Sequence, residues 1–485
     1  MAKLIEKVGY GFGDMSSSMF WKVFSYYLPF FYSNVFGLTL VDAGVLVLVT
    51  RIWDAVSDPM MGVIADRTHT RWGKYRPYLL FVAPLFSIAG ILLFTTPNWS
   101  YGAKLVYAYV TYILMMSVYT AINVPYGAML GVMTADPQEK TVFSSFRMFF
   151  AYGGSFIALA AWEPLVNYFK TSSPSLLPSG EVASIPVPIA WQHAMMVIAA
   201  ACLVLFILTF ILTRERLKTV STISIGKDFR SLLSNRPWWI LIGAALCFNL
   251  FCTVRGASVA YYFADIIGFD ARLHVPFIGE GPEVGFLFYA GLFLSVGEVS
   301  NMLGVASTVL LAKRLGKKLL FMVVNAALVV LSIAFFFIPV SPTGFWLMLL
   351  FQVLISILTG VMSPLVWSMY ADVSDYAELR YHTASTGLIF SSSSMAQKFG
   401  GAIGGAAVLW LLSACGYTPR SDEQLAAQTF ITQPDSALLC LRCLMSFIPA
   451  IVALIAIAVC HYYPLTTTRV NEITQQLSLT RHDNT

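Results

Sequence analysis

Two carboxylates stand one helical turn apart in the apolar stretch "RIWDAVSDPMMG", Arg51 to Gly62. Asp54 and Asp58 are spaced i, i+4, so a helix presents both on one face. The run around them is apolar enough to sit in a bilayer. A charge there costs about 3 kcal/mol or more, so it faces a cavity or a partner and marks function. Two carboxylates that repel each other away from bulk water favour binding a proton or a cation. Arg51, one turn earlier, is placed to pair with Asp54. The alternative is structural: an Arg51–Asp54 pair near the helix end, with Asp58 marking the membrane edge. A later apolar run carries Tyr119, Thr120 and Asn123 before Pro125. Thr120 and Asn123 can bring neutral oxygens beside the carboxylates, although such residues also bridge packed helices.

Four cations interrupt other apolar runs. Lys398 lies inside the Gly-rich "SSSSMAQKFGGAIGG", where it needs a carboxylate or a substrate as partner. Arg147 lies about two turns into its span; its alternative is to snorkel to the surface. Lys22, one turn after Ser18, and Arg255 lie far from any basic loop. They occupy corresponding spans of two halves, and facing each other across a cavity they favour an anionic substrate. Snorkelling in the opposite direction is the competing reading for both.

The elements that hold these residues follow from composition. The 485 residues are 58% hydrophobic and 11% charged, with a mean hydropathy of +0.72. Soluble domains are about 25% charged, so the chain reads as an all-α polytopic membrane protein. A span needs about 20 apolar residues. Such runs fall at 15–36, 40–65, 76–97, 103–134, 141–169, 189–213, 236–267, 283–312, 318–340, 343–371, 383–414 and 440–464. They predict a bundle over 1–213, a linker over 214–235, a second bundle over 236–464 and a tail over 465–485. "RWGKYR" at Arg71–Arg76 reappears as "RLGKKL" at Arg314–Leu319, and "MTAD" at Met133–Asp136 as "MYAD" at Met369–Asp372. Pro125 and Pro364 precede the second pair of motifs. These echoes predict two six-helix halves related by an axis along the membrane normal, with substrate bound between them.

Lys and Arg crowd one set of loops, which places those loops and both termini in the cytoplasm. No secretory signal is evident at the N-terminus. The small net charge of +5 gives no footing for nucleic acid. The seven cysteines are scattered, and Cys440–Cys443, though spaced CxxC, lacks a second ligand pair. His69, His382 and His461 form no ligand spacing, and no nucleophile motif appears, so an enzyme is not expected. Neither a cofactor nor an obligate protein partner is implied. In the basic-side loops, Arg71, Lys74, Arg76, Asp136, Asp372, Asp375 and Arg380 could make and break inter-helix pairs as a gate. Ordinary topology signalling would also account for them.

The chain resembles the glycoside–pentoside–hexuronide:cation symporters, the melibiose-permease branch of the major facilitator superfamily. The likeness rests on "YGFGD" (Tyr10–Asp14), "DAVSDPMMG" (Asp54–Gly62), "RTHTRWGKYRP" (Arg67–Pro77), "NVPYGAM" (Asn123–Met129), "ADVSDYAELR" (Ala371–Arg380) and "YYPLT" (Tyr462–Thr466). It implies a multi-pass inner-membrane symporter of a sugar or glycoside with a coupling cation, H⁺ or Na⁺, working by alternating access. It further implies that Asp54, Asp58 and Thr120 hold the cation, that Lys398 links cation and sugar sites, and that Arg147 serves the sugar. Tyr119, Trp367 and Ser394 match cavity-lining positions. The chain departs from the melibiose-permease pattern at Ser17, Ser18, Asn123 and Gly127, where that pattern has a lysine, two carboxylates and an aromatic. Losing acidic sugar ligands while gaining Lys22 and Arg255 directs the expectation to H⁺ and to an acidic or sulfonated sugar. Export or exchange by the same path stays open, as does, in another class, a channel or sensor.

Overall fold

The structure is a computed structural model. It describes residues 3–68, 70–134, 137–172, 175–176, 182–183, 186–216, 233–267, 272–275, 279–283, 286–381, 386–420, 424 and 432–483.

Apolar surroundings offer backbone groups no water, so each span must satisfy its own hydrogen bonds as a helix. The first half comprises α1 (Leu4–Phe30), α2 (Leu40–Arg67), α3 (Arg76–Leu93), α4 (Tyr101–Met133), α5 (Pro137–Ser172) and α6 (Val187–Leu212). The second comprises α7 (Arg236–Tyr262), α8 (Phe286–Leu315), α9 (Lys317–Phe336), α10 (Pro342–Tyr381), α11 (Thr386–Ala414) and a broken span, α12 (Asp435–Met445) with α13 (Phe447–His461). A last helix, α14 (Thr467–Asp483), packs on α10. Among the described residues, ten spans are long and apolar enough to cross a membrane, α12 and α13 together counting as one. Besides the short α14, the helices missing from that set are α1 and α2, of 27 and 28 residues. They are the ones that carry Asp14 and Lys22, and Arg51, Asp54 and Asp58.

Local signals set several boundaries. Thr39 caps α2 by accepting from the Asp42 amide, and Asn235 caps α7 by accepting from that of Trp238. Two features go beyond the sequence expectation. Short hairpins pair Ser175–Leu176 with Val182–Ala183 and Arg272–Val275 with Gly279–Glu283 in the far-end loops. The twelfth span breaks at Ser446. The cause lies one turn on, where Pro449 has no amide to bond the Met445 carbonyl. Arg255 Nη1 donates to that carbonyl instead, at 2.6 Å.

The two halves repeat in structure. The basic loops after α2 and α8 turn on Gly73 and Gly316, at φ +118° and +78°, where only glycine sits without strain. Both α1 and α7 end in a π turn, Phe31–Val35 and Phe263–Ile267. In each half the first and fifth helices approach backbone to backbone at a glycine, Gly154 against Met15 and Gly400 against Leu246.

The halves meet through α2 against α11, α5 against α8 and α1 against α7. The end with the Arg71–Arg76 and Arg314–Leu319 loops is here the basic end; the other is the far end. Near the far end one apolar core runs through both halves, including Phe30, Tyr261, Tyr289, Phe335 and Leu409. Polar contacts reinforce it: the Ser33 and Tyr261 hydroxyls lie 2.7 Å apart, and the Arg420 amide donates to Asn34 Oδ1. Towards the basic end the second half keeps a separate core around Trp238, Leu365 and Tyr370.

Candidate functional site

The site is built where α2 and α11 cross. Asp54 is wholly enclosed, whereas Asp58 keeps 25% of its side chain exposed. Lys398, from the other half, donates to Asp54 Oδ1 at 3.1 Å and to Asp58 Oδ2 in a short contact. Thr120 of α4 donates towards Asp54 Oδ1 at 3.2 Å and Asp58 Oδ1 at 3.0 Å. Ser57 backs Thr120 at 3.2 Å. Asp54 Oδ2 is buried with no hydrogen-bond partner. One ammonium therefore clasps two carboxylates across the seam, and one carboxylate oxygen stays unsatisfied.

Lys398 also faces a cavity of about 360 Å³ between the halves. Its lining includes Trp21, Lys22, Arg51, Asn249, Ser394 and Gln397. A second cavity of about 210 Å³ lies beyond Lys22, Tyr26 and Cys252, which line both. It reaches Arg255, Glu298, Asn301 and Gln352 in the second half.

Several sequence expectations change here. Arg51 does not pair with Asp54; its guanidinium lies over the rings of Trp21 and Phe24, 4.4 and 5.0 Å from the centroids. Asn123 contributes no oxygen to the carboxylates, because its Oδ1 accepts from Ser17 at 2.9 Å. Arg147 turns away from both cavities and pairs with Asp14 of α1 at 2.9 Å. Tyr119 packs tilted against Trp21, ring centroids 4.9 Å apart, and so supports the wall without lining it. Trp367 packs beside Tyr370, and neither it nor Ser18 lines either cavity. Ser394 does. Lys22 and Arg255 are not bare cations facing each other. Lys22 is paired with Glu298 of α8 at 2.6 Å. Arg255 donates to Met445 O and, at 3.0 Å, to Gln352 Oε1.

Glu298 is absent from the sequence reading, although "SVGEVSN" carries the same signal as the α2 pair: a carboxylate inside an apolar helix. Asp14 and Glu215 are similar omissions. Glu215 accepts from the amides of Lys74, Tyr75 and Arg76, which folds the first basic loop onto the end of α6. In the second half, Lys317 holds both oxygens of Asp372 at 2.7 Å. Arg76 is spent on the Phe210 carbonyl, and Arg71 lies over its neighbour Trp72. The charged contacts recorded at these loops thus lie within a half. Asp136 lies outside the described residues. Arg380 is exposed, while Asp375 is half-buried.

Comparison with known proteins agrees with this architecture. Residues 9–467 match the family model described as MFS/sugar transport protein. The chain belongs to that family. It is a multi-pass membrane transporter of the major facilitator fold, and not an enzyme. It is 33% identical over 476 residues to the inner membrane symporter YicJ of Escherichia coli (strain K12), covering 98% of this chain and 94% of that one. It is 33% identical over 431 residues to the isoprimeverose transporter of Lactiplantibacillus pentosus, covering 87% and 82%. The crystal structure of the nucleoside transporter NupG superposes with a TM-score of 0.63 at 13% identity, over 94% of this chain and 99% of NupG.

Proposed function

We propose that this protein is a proton-coupled symporter of a sugar or glycoside, with a preference for substrates bearing an acidic group. One observation carries the reading: Lys398 of one half clasps Asp54 and Asp58 of the other, at the edge of a central cavity. A cation that loads on the carboxylates must displace the ammonium. The freed Lys398 then turns to the cavity, where it can hold a sugar oxygen or an anionic group. Cation and substrate are thereby linked through one side chain, which is the requirement for coupling.

The surroundings favour H⁺. The carboxylates are met by an ammonium and a hydroxyl, both donors, while the carbonyl of Asn123 is taken by Ser17. Sodium needs a shell of oxygen acceptors; a proton needs one carboxylate. An acidic substrate is supported by the cavity's basic lining, with Lys22, Arg51 and Lys398 in the first chamber and Arg255 in the second. We place the basic end and both termini in the cytoplasm, since Lys and Arg gather there. The location that fits is the inner membrane.

Uptake by proteoliposomes tests this. An imposed pH gradient, acid outside, should drive accumulation of at least one member of a panel of pentosides, hexosides, uronides and sulfo-sugars, with no need for Na⁺. Accumulation that follows a Na⁺ gradient alone would overturn the choice of ion. Uptake of no sugar at all would overturn the function.

A further inference from the structure

Lys22 sits at the neck between the two chambers, with 23% of its side chain exposed. Glu298 lies behind it, almost fully enclosed. Glu298 Oε1 accepts from Lys22 at 2.6 Å, and Tyr26 OH lies 3.5 Å from the same oxygen. Glu298 Oε2 is buried with no partner. The carboxylate therefore depends on Lys22 for its neutralisation. The titratable and charged groups that share its cavity are Tyr152 from α5 and Cys252 and Arg255 from α7, beside neutral polar groups such as Asn301 of α8 and Gln352 of α10. Arg255 cannot readily take over from Lys22, because the Met445 carbonyl and Gln352 already hold it. The pair joins α1 to α8, so it spans the two halves, well away from the clasp at Asp54 and Asp58.

An anionic group in the larger chamber can reach the Lys22 ammonium, which lines it together with Arg51 and Lys398. If it binds there, Glu298 loses its counter-charge while remaining buried, which is a severe electrostatic penalty. A proton on Glu298 removes the penalty. We propose that Glu298 is a substrate-linked proton site: the acidic group of the sugar replaces Glu298 on Lys22, and Glu298 takes up one proton from water as it lets go. On release of the sugar, Glu298 returns that proton to water and closes again on Lys22. An acidic sugar thus crosses with one more proton than the Asp54–Asp58 site carries. The extra proton cancels the substrate's own charge, so transport of the anion remains electrogenic. This inference rests on the acidic-substrate reading given above.

The experiment uses the purified full chain in proteoliposomes, with glucuronate, methyl glucuronide and sulfoquinovose as acidic probes and glucose, xylose and methyl glucoside as neutral ones. For the wild type, an inside-negative potential set by valinomycin and potassium should stimulate uptake of the acidic probes. Glu298→Gln should still take them up under a pH gradient but lose the response to potential, since one positive charge per cycle is gone. Lys22→Gln should raise KM for acidic probes about tenfold or more, the loss of one charge-assisted hydrogen bond. A measurement on the wild type alone guards against variants that do not fold. In weakly buffered detergent solution, binding an acidic probe should take up about one proton more than binding a neutral probe.

The proposal is overturned if Glu298→Gln keeps its response to potential, or if acidic and neutral probes bind with equal proton uptake. If only neutral probes are transported, this inference falls and sugar symport stands. If no probe is transported, both fall.

Discussion

Asp58 keeps a quarter of its side chain exposed and Asp54 none, so the proposed coupling gives the two carboxylates of the clasp different tasks. On the proposed coupling, Asp58 is the carboxylate that takes the ion, while Asp54 holds Lys398 in register. Asp58→Asn should therefore remove the dependence of substrate affinity on pH. That coupling is worth about 1–3 kcal/mol, or roughly 5–150-fold in affinity. The check is substrate binding measured at two pH values: the variant should show one affinity where the wild type shows two, while counterflow exchange stays measurable. An Asp58→Asn protein that still accumulates sugar uphill would end the clasp as an account of coupling. That Asp54, Asp58 and Lys398 need partners was legible in the sequence, because a charge in an apolar run is costly unless it is met. Their partners were less so. Sequence gives the depth of a side chain in its helix and the face it shares, but not which neighbour lies across the gap. Arg51 has a carboxylate within one turn and instead lies over Trp21 and Phe24. Asn123 has carboxylates nearby in the fold and instead accepts from Ser17.

Helices were legible nearly throughout, since apolar length alone forces them. Their interruptions were not, because each depends on a contact from elsewhere. The break at Ser446 is a case in point. Proline was visible at position 449, but a free carbonyl within a membrane protein is tolerable only if a donor arrives, and that donor is Arg255, far earlier in the chain. The basic loops show the opposite situation. Their repeated Gly-Lys could be read directly, and the left-handed backbone at Gly73 and Gly316 is its physical content. Gly316→Ala should lower stability by about 1–3 kcal/mol, the cost of forcing a Cβ into that positive-φ conformation. Thr467, which packs against Gly316, adds to the strain. A lower melting temperature in detergent, with substrate affinity unchanged, is the expected result. An unchanged melting point would mean that the loop can rearrange at no cost.

The molecule as a whole is closed at one end. Both halves share an apolar core near the far end, sealed by Ser33 with Tyr261 and by Asn34 with the Arg420 backbone. Beneath that seal, Arg420 and Asp265 form an ion pair with no exposed side-chain surface, which braces the loop carrying the contact. The Lys398 clasp ties the halves together near the middle of α2 and α11. The Arg147–Asp14 pair below it keeps 32% and 13% of its side chains exposed. With the far end held shut by its own contacts, the proposed transport cycle predicts access to the cavity from the basic end. Ser394→Cys in a cysteine-free background should react with a membrane-impermeant maleimide faster in inside-out than in right-side-out vesicles. Adding Tyr261→Phe, which loosens the far-end seal, should narrow the difference; equal rates before that change would refute the closed far end. The two-half plan behind this prediction was visible in the repeated motifs, while the state of closure was not, since a chain that rocks between two packings encodes both. The clasp itself has one more implication, in plain charge counting. One ammonium against two carboxylates leaves a single negative charge, so one monovalent ion completes neutrality and a divalent ion overshoots it. On the proposed coupling, magnesium or calcium would leave surplus positive charge on the triad, so one monovalent ion per cycle is the expected load at this position.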